Sequence, residues 1–217
     1  MPSAPCADNR RIDYFGKSAP YYDTILGLLT FRQYAKFQKR AMELLAPQPG
    51  ERILDLCSGT GRVASWIAQA VGEEGKVVGM DLSKNMVEFS KERYEELKRV
   101  VFLHEDVTKP WGYQNYFDAI FTSYAIHELP EKKRLSTLEH SYQALKEKGR
   151  MVIADFNPQG SGITKTILLA FFKLFERDNL NFFSFDQSEM LRKAGFKRIE
   201  IFPVLATLFQ ITLAQKN

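Results

Sequence analysis

Between Glu51 and Asp155 the chain interleaves short apolar runs with helical patterns, and few architectures accommodate that rhythm. The runs are "ERILDL", "KVVGMD", "VVFLHED", "FDAIFTS" and "GRMVIAD", and the helical stretches are Arg62 to Val71, Lys84 to Lys98 and Glu131 to Lys146. Strands joined through helices run parallel, because only a long crossover returns the chain to the same edge. After "DQSEMLRKAGF" come two further runs, "KRIEIFPV" and "TLFQITLAQ", too close together for a crossover helix. They are expected to pair antiparallel at one edge. The expected class is therefore α/β, with a doubly wound, mostly parallel seven-stranded sheet that ends in a C-terminal antiparallel hairpin strand.

At 217 residues and 45% hydrophobic content, the chain can bury one substantial core but is short for two, so 1–217 reads as a single domain. The formal charge of +4 is spread without a long block of Lys and Arg, which speaks against a dedicated nucleic-acid binder. Cys6 and Cys57 are the only thiols, so no disulfide framework is expected and a reducing, cytoplasmic setting follows. "MPSAPCADNRRIDYFG" has no apolar signal core, and no run of about 18 apolar residues occurs. The chain is expected to be soluble or peripheral to a membrane.

Two segments fall outside the sheet pattern. Thr24 to Leu45 reads as one amphipathic helix, with Tyr34, Ala41 and Leu45 on one face, Phe37 beside them, and Arg32, Lys36, Lys39 and Arg40 opposite. It belongs to an N-terminal helical cap, residues 1–46. Ile163 to Arg177 is apolar nearly all round, and Phe171, Phe172, Phe175, Phe182, Phe183 and Phe185 crowd it and the stretch that follows. Such density requires a buried or greasy partner.

The run "ILDLCSGTGRVA" carries the chemistry. Gly59 and Gly61 let backbone approach a ligand at a strand-to-helix turn, and Gly59-x-Gly61-x-x-Ala64 with Asp81 also satisfies the dinucleotide fingerprint. Asp55, four residues before Gly59, would repel a pyrophosphate but suits a cofactor with a cationic amino group. Asp81 ends the second strand where an acid grips ribose hydroxyls; Asp106 can accept from an adenine amino group, and Val107 can offer a backbone donor. Together they fit S-adenosylmethionine. His127, just past strand four, has the ordinary pKa of about 6.5 that suits a general base, while Glu128 reads as surface. Asp155 at the end of strand five reads equally as a crevice residue or a cap.

In this order, "ILDLCSGTG", "VVGMDLSKNM", "HEDV", "FDAIFTSYAIHELP" and "KEKGRMVIADFNP" resemble the successive motifs of class I S-adenosylmethionine-dependent methyltransferases. The chain is most similar to the ubiquinone/menaquinone biosynthesis methyltransferase family, whose N-terminal region is echoed by "YFGKSAPYYDTILGLLTF", Tyr14 to Phe31. The resemblance implies a Rossmann-like fold with the cofactor-binding core at 51–156. It carries S-adenosyl-L-methionine contacts to Tyr22, Cys57, Ser58, Leu82, Met86, Thr122 and Ser123 beside Asp55, Gly59, Gly61, Asp81, Asp106 and Val107. It places an apolar acceptor lid at 160–185, ahead of a C-terminal helix and hairpin at 186–217. Two departures stand out: Cys57 replaces the first glycine of the family's turn, and "SYAIHELP" replaces its usual wording after strand four. No second thiol accompanies Cys57, so no metal site is expected.

The acceptor expected from this reading is a hydrophobic or amphiphilic small molecule, quinone-like or lipid, with a phospholipid head-group amine as the other acceptor class. No Asn-Pro-Pro-aromatic or Pro-Cys sequence of the nucleobase enzymes follows strand four. Basic residues near "ILGLLTF" suit peripheral contact with an anionic membrane. An NAD(P)-dependent oxidoreductase using the same turn and a non-catalytic S-adenosylmethionine-binding accessory protein are the other functional classes. Oligomeric state has no sequence signal.

Overall fold

A computed structural model describes residues 17–29, 33–159, 186–204 and 207–217, together with positions 162, 165, 166, 169, 170 and 173. Helices α1 (Ala19–Leu29) and α2 (Gln33–Leu45) precede the alternating region. That region comprises β1 (Arg52–Leu56), α3 (Arg62–Val71), β2 (Lys76–Asp81), α4 (Lys84–Arg93), β3 (Val100–His104) and β4 (Phe117–Ser123). A 3₁₀ turn (Ile126–Glu128), α5 (Glu131–Ala144) and β5 (Leu145–Phe156) follow, and α6 (Gln187–Lys193), β6 (Arg198–Val204) and β7 (Phe209–Gln215) complete the described elements.

The strand order is β3-β2-β1-β4-β5-β7-β6. Neighbours among the first five strands pair parallel, whereas β7 runs antiparallel to both β5 and β6. This is the expected seven-stranded, Rossmann-like sheet with its C-terminal hairpin. Successive side chains of β1 explain its central place: Ile53 packs with Phe37, Leu45, Val63 and Ile67 on one face, while Leu54 and Leu56 pack with Leu138, Leu191 and Phe196 on the other. A strand buried on both sides reads as a continuous apolar run. Chain direction across the sheet reverses between β1 and β4, which opens a crevice at their carboxyl ends.

Two expectations need correction. Where one helix was expected from Thr24 to Leu45, the described residues form two, and the buried stripe of Tyr34, Phe37, Ala41 and Leu45 belongs wholly to the second. In α1 the one buried apolar position among the described side chains is Ala19. Helix α4 stops at Arg93 rather than Lys98, with Tyr94 closing it by donating its backbone N–H to Ser90 O. Most of the expected lid, 160–185, lies outside the described residues, as does Arg32. Among the described residues no helix is long and apolar enough to cross a membrane.

Candidate active site

The turn after β1 is held from below by the sheet. Ser58 N–H donates to Met80 O at 2.9 Å, and Gly61 N–H closes the loop on Ser58 O at 2.9 Å. Gly61 has φ of 74° at the start of α3, and a β-carbon there would lie 2.7 Å from the Phe102 ring. Only glycine satisfies both conditions. Cys57 adopts φ of 56°, a left-handed conformation that costs about 1–2 kcal/mol for a residue with a β-carbon. That strain is the price of replacing the usual glycine.

A cavity of about 210 Å³ opens over this turn. Of the residues expected to hold a cofactor, Tyr22, Asp55, Cys57, Ser58, Gly59, Asp81, Leu82, Met86, Asp106, Val107 and Ser123 line it. Gly61 and Thr122 do not, and neither does His127, the expected catalytic residue. Gly61 serves helix and Phe102 packing, and Thr122, 1% exposed, donates its hydroxyl to Leu56 O at 3.0 Å and so stitches β4 to β1.

The acids at the strand ends differ in how they are used. Asp55 is 2% exposed, and its Oδ2 has no hydrogen-bond partner among the described residues. Burial pushes its carboxyl well above 3.8, and nearby Asp81 pushes it further. Asp81 accepts from Gly59 N–H at 2.8 Å and from Ser83 N–H at 2.8 Å. Burial raises it too, though those backbone bonds pull the other way. For Asp106, burial works upward, but hydrogen bonds from Thr108 and the charge of Lys109 prevail and hold it below 3.8. The Cys57 thiol is pushed well up by burial and then by Asp81, Asp55, Glu128 and Asp155, so it faces the cavity as a neutral group.

The cover over the turn comes from α1 and α2. Asp23 accepts from Thr60 Oγ1 at 3.0 Å, pairs with Arg93 at 2.9 Å and lies 3.3 Å from Arg62. Arg62 donates to Gln38 Oε1 at 2.7 Å and stands over the Tyr34 ring, and Gln38 donates onward to Ser123 Oγ at 2.9 Å. None of Asp23, Tyr34, Gln38 or Arg62 was expected at the site. Asp23 is 37 residues from Thr60, and nothing local in the sequence marks such a contact.

His127 lies behind the cavity wall. It is 3% exposed, with Nδ1 2.6 Å from Asp155 Oδ1 and its backbone N–H donating to Asp155 Oδ2 at 3.1 Å. Burial alone would lower its pKa, but Asp155 and then Glu128 outweigh that and raise it to about 10. An imidazolium at neutral pH has no lone pair with which to take a proton, which argues against His127 as the base. Glu128, read as surface, lines the cavity instead.

A profile of the ubiE/COQ5 methyltransferase family matches residues 5–184. A demethylmenaquinone methyltransferase of Bacillus cereus (strain ATCC 10987 / NRS 248) is 27% identical over 217 residues, covering 90% of this chain and 91% of the relative. Similar identity and coverage are found with the Bacillus anthracis (strain CDC 684 / NRRL 3495) enzyme of that name. Among solved structures, a SAM dependent methyltransferase from Aquifex aeolicus superposes with a TM-score of 0.62 at 22% identity, covering 83% of this chain and 89% of that one. The Haemonchus contortus phosphoethanolamine N-methyltransferase 2, in complex with S-adenosyl-L-methionine, gives 0.65 at 18% identity over 82% of this chain and 52% of that one. At these identities the superpositions speak for the fold alone.

Proposed function

The chain belongs to the ubiE/COQ5 methyltransferase family and is an S-adenosylmethionine-dependent methyltransferase; from that premise we propose that its acceptor is a hydrophobic or amphiphilic small molecule, quinone-like or lipid. When bound, S-adenosylmethionine supplies a methyl group made electrophilic by its sulfonium. The chain's residues bind and orient. Asp55 receives the cationic amino group, Asp81 the ribose hydroxyls, and Asp106 with the Val107 backbone the adenine, while Leu82 and Met86 supply apolar walls. The observation that carries this assignment is the buried Asp55 oxygen without a partner, because a buried carboxylate calls for a cation and repels a dinucleotide's pyrophosphate. Alignment of the methyl with the acceptor can contribute about 7–11 kcal/mol.

Three features favour a greasy acceptor. Tyr22, Tyr34 and Tyr124 line the cavity. The Phe-rich 160–185 segment follows β5, whose carboxyl end borders the crevice. The relatives at 27% identity bear the name demethylmenaquinone methyltransferase, and so are named for a quinone. Tyr21 and Leu28 stand 68% and 74% exposed on α1, and Lys36, Lys39 and Arg40 are exposed on α2, which suits an enzyme that meets its acceptor at an anionic membrane.

Transfer of a labelled methyl group tests the proposal. Reduced short-chain demethylmenaquinone in phosphatidylglycerol vesicles should become labelled, and salt should weaken vesicle association because screening sets in over about 8–10 Å. Label appearing on phosphatidylethanolamine amines and not on the quinol would assign the head-group class instead. Label on neither, with a water-soluble phenol methylated freely, would exclude both.

A further inference from the structure

Two buried charges, Asp155 and Arg134, converge on the 3₁₀ turn, and His127 within the turn is a third. Asp155, 1% exposed, accepts from the His127 backbone and ring and from Phe156 N–H at 2.8 Å. Arg134, 0% exposed within α5, donates from Nε to Ile126 O at 3.1 Å and from Nη2 to His127 O at 3.2 Å. The His127 ring is held edge-on by Phe156 at 4.9 Å and brings Nε2 to 3.6 Å from Glu128 Oε1. Buried ions are costly, and a short connection does not need three of them to fold. Of Ile126, His127 and Glu128, only Glu128 reaches the cavity wall.

From this clamp we infer that Glu128 is the acceptor-facing catalytic carboxylate, and that His127, Asp155 and Arg134 are positioning residues that hold it there. The inference rests on the proposed reading that the acceptor surrenders a proton, as a quinol or phenol does. The other cavity acids have other work: Asp55 faces the cofactor's cationic end, Asp81 is tied to the Gly59 and Ser83 amides, Asp106 is tied to Thr108, and Asp23 is tied to Thr60, Arg62 and Arg93. Glu128 also sits close enough to Tyr22 under α1 for its charge to add to the burial that raises that phenol. The acceptor's nucleophilic atom bonds to the methyl carbon as the carbon–sulfur bond breaks with its electron pair going to sulfur. The acceptor's proton passes to a Glu128 carboxylate oxygen and leaves to water afterwards.

The test uses the full chain, labelled S-adenosylmethionine and two acceptor preparations, reduced short-chain demethylmenaquinone and total bacterial lipid extract. Glu128→Gln should lower kcat by about a hundredfold to ten-thousandfold, with Glu128→Asp recovering part of the loss. Affinity for S-adenosylhomocysteine should stay within about twofold, because Glu128 is assigned no cofactor contact. His127→Gln should lower kcat by about ten- to a hundredfold, and that loss should vanish in the Glu128→Gln background because His127 acts through Glu128. In the S-adenosylhomocysteine complex, imidazole NMR should find His127 losing its proton at lower pH in Glu128→Gln than in the wild type. Undiminished kcat in Glu128→Gln, or a His127→Gln loss that persists in full beside it, would overturn the inference. If label enters the lipid extract but not the quinol, the quinone reading fails while Glu128 is still judged on the lipid product.

Discussion

Asp55 and Asp155 lie near the carboxyl ends of β1 and β5, strands of one sheet with β4 between them, and both are at most 2% exposed, yet their surroundings are opposite. Asp155 is fully engaged by His127 and Phe156, whereas Asp55 keeps an oxygen without a partner among the described residues. Burial is therefore not what distinguishes a structural acid from a ligand-binding one; the unused hydrogen-bonding capacity is. Asp155 completes an internal ion pair, and in the proposed reading Asp55 receives the cofactor's cation.

The same substitution at the two sites should have opposite signs. Asp155→Asn removes the counter-charge hydrogen-bonded to the His127 imidazolium, with Glu128 Oε1 remaining at 3.6 Å, and breaking a buried pair costs about 3–5 kcal/mol, read from urea unfolding. Asp55→Asn removes an uncompensated buried charge and should stabilise the cofactor-free protein by about 1 kcal/mol. Equal destabilisation at both positions would end the contrast.

Acidity sharpens it further. His127 is raised from 6.5 to about 10 on folding, so its contribution to stability is complete below pH 6.5 and is lost as pH climbs through about 10. The stability gap between wild type and Asp155→Asn should narrow over that window. Asp55 is also raised on folding, but for an acid this means a cost that is absent below pH 3.8 and grows above it. The gain from Asp55→Asn should thus be nil in acid and appear on approach to neutrality. Denaturant titrations at several pH values check both slopes.

A smaller effect lies in the turn between them. Cys57→Gly releases the strain of a positive φ, worth about 1–2 kcal/mol, but loosens the unfolded chain and discards a half-buried side chain. A net change within about 1 kcal/mol in thermal melts is expected, with cofactor affinity preserved.

Much of this was legible in the sequence where signals are local. Strands β2 and β4 match the runs "KVVGMD" and "FDAIFTS" end to end because charge or turn chemistry bounds each apolar stretch. Asp55, Gly59 and Asp81 fall at the cavity because a strand end followed by a glycine turn fixes their position in any doubly wound sheet. What the sequence could not reveal depends on distant partners. His127 looked like an accessible base until Asp155, 28 residues later, was found to pair with it, and Glu128 looked like surface until the clamped turn set it against the cavity. Asp23, Gln38 and Arg62 were invisible for the same reason, their contacts spanning 24 to 85 residues.

In the proposed cofactor site the unpartnered oxygen of Asp55 receives the amino group of the cofactor. Calorimetry of wild type and Asp55→Asn with two ligands tests it: S-adenosylhomocysteine, which carries the amino acid end, and 5′-methylthioadenosine, which lacks it. A charge-assisted hydrogen bond is worth about 1.5–3 kcal/mol, so affinity for S-adenosylhomocysteine should fall by about ten- to a hundredfold. Binding of 5′-methylthioadenosine should stay within about twofold on the same reasoning. An equal loss for both ligands, or no loss for either, would contradict the assignment.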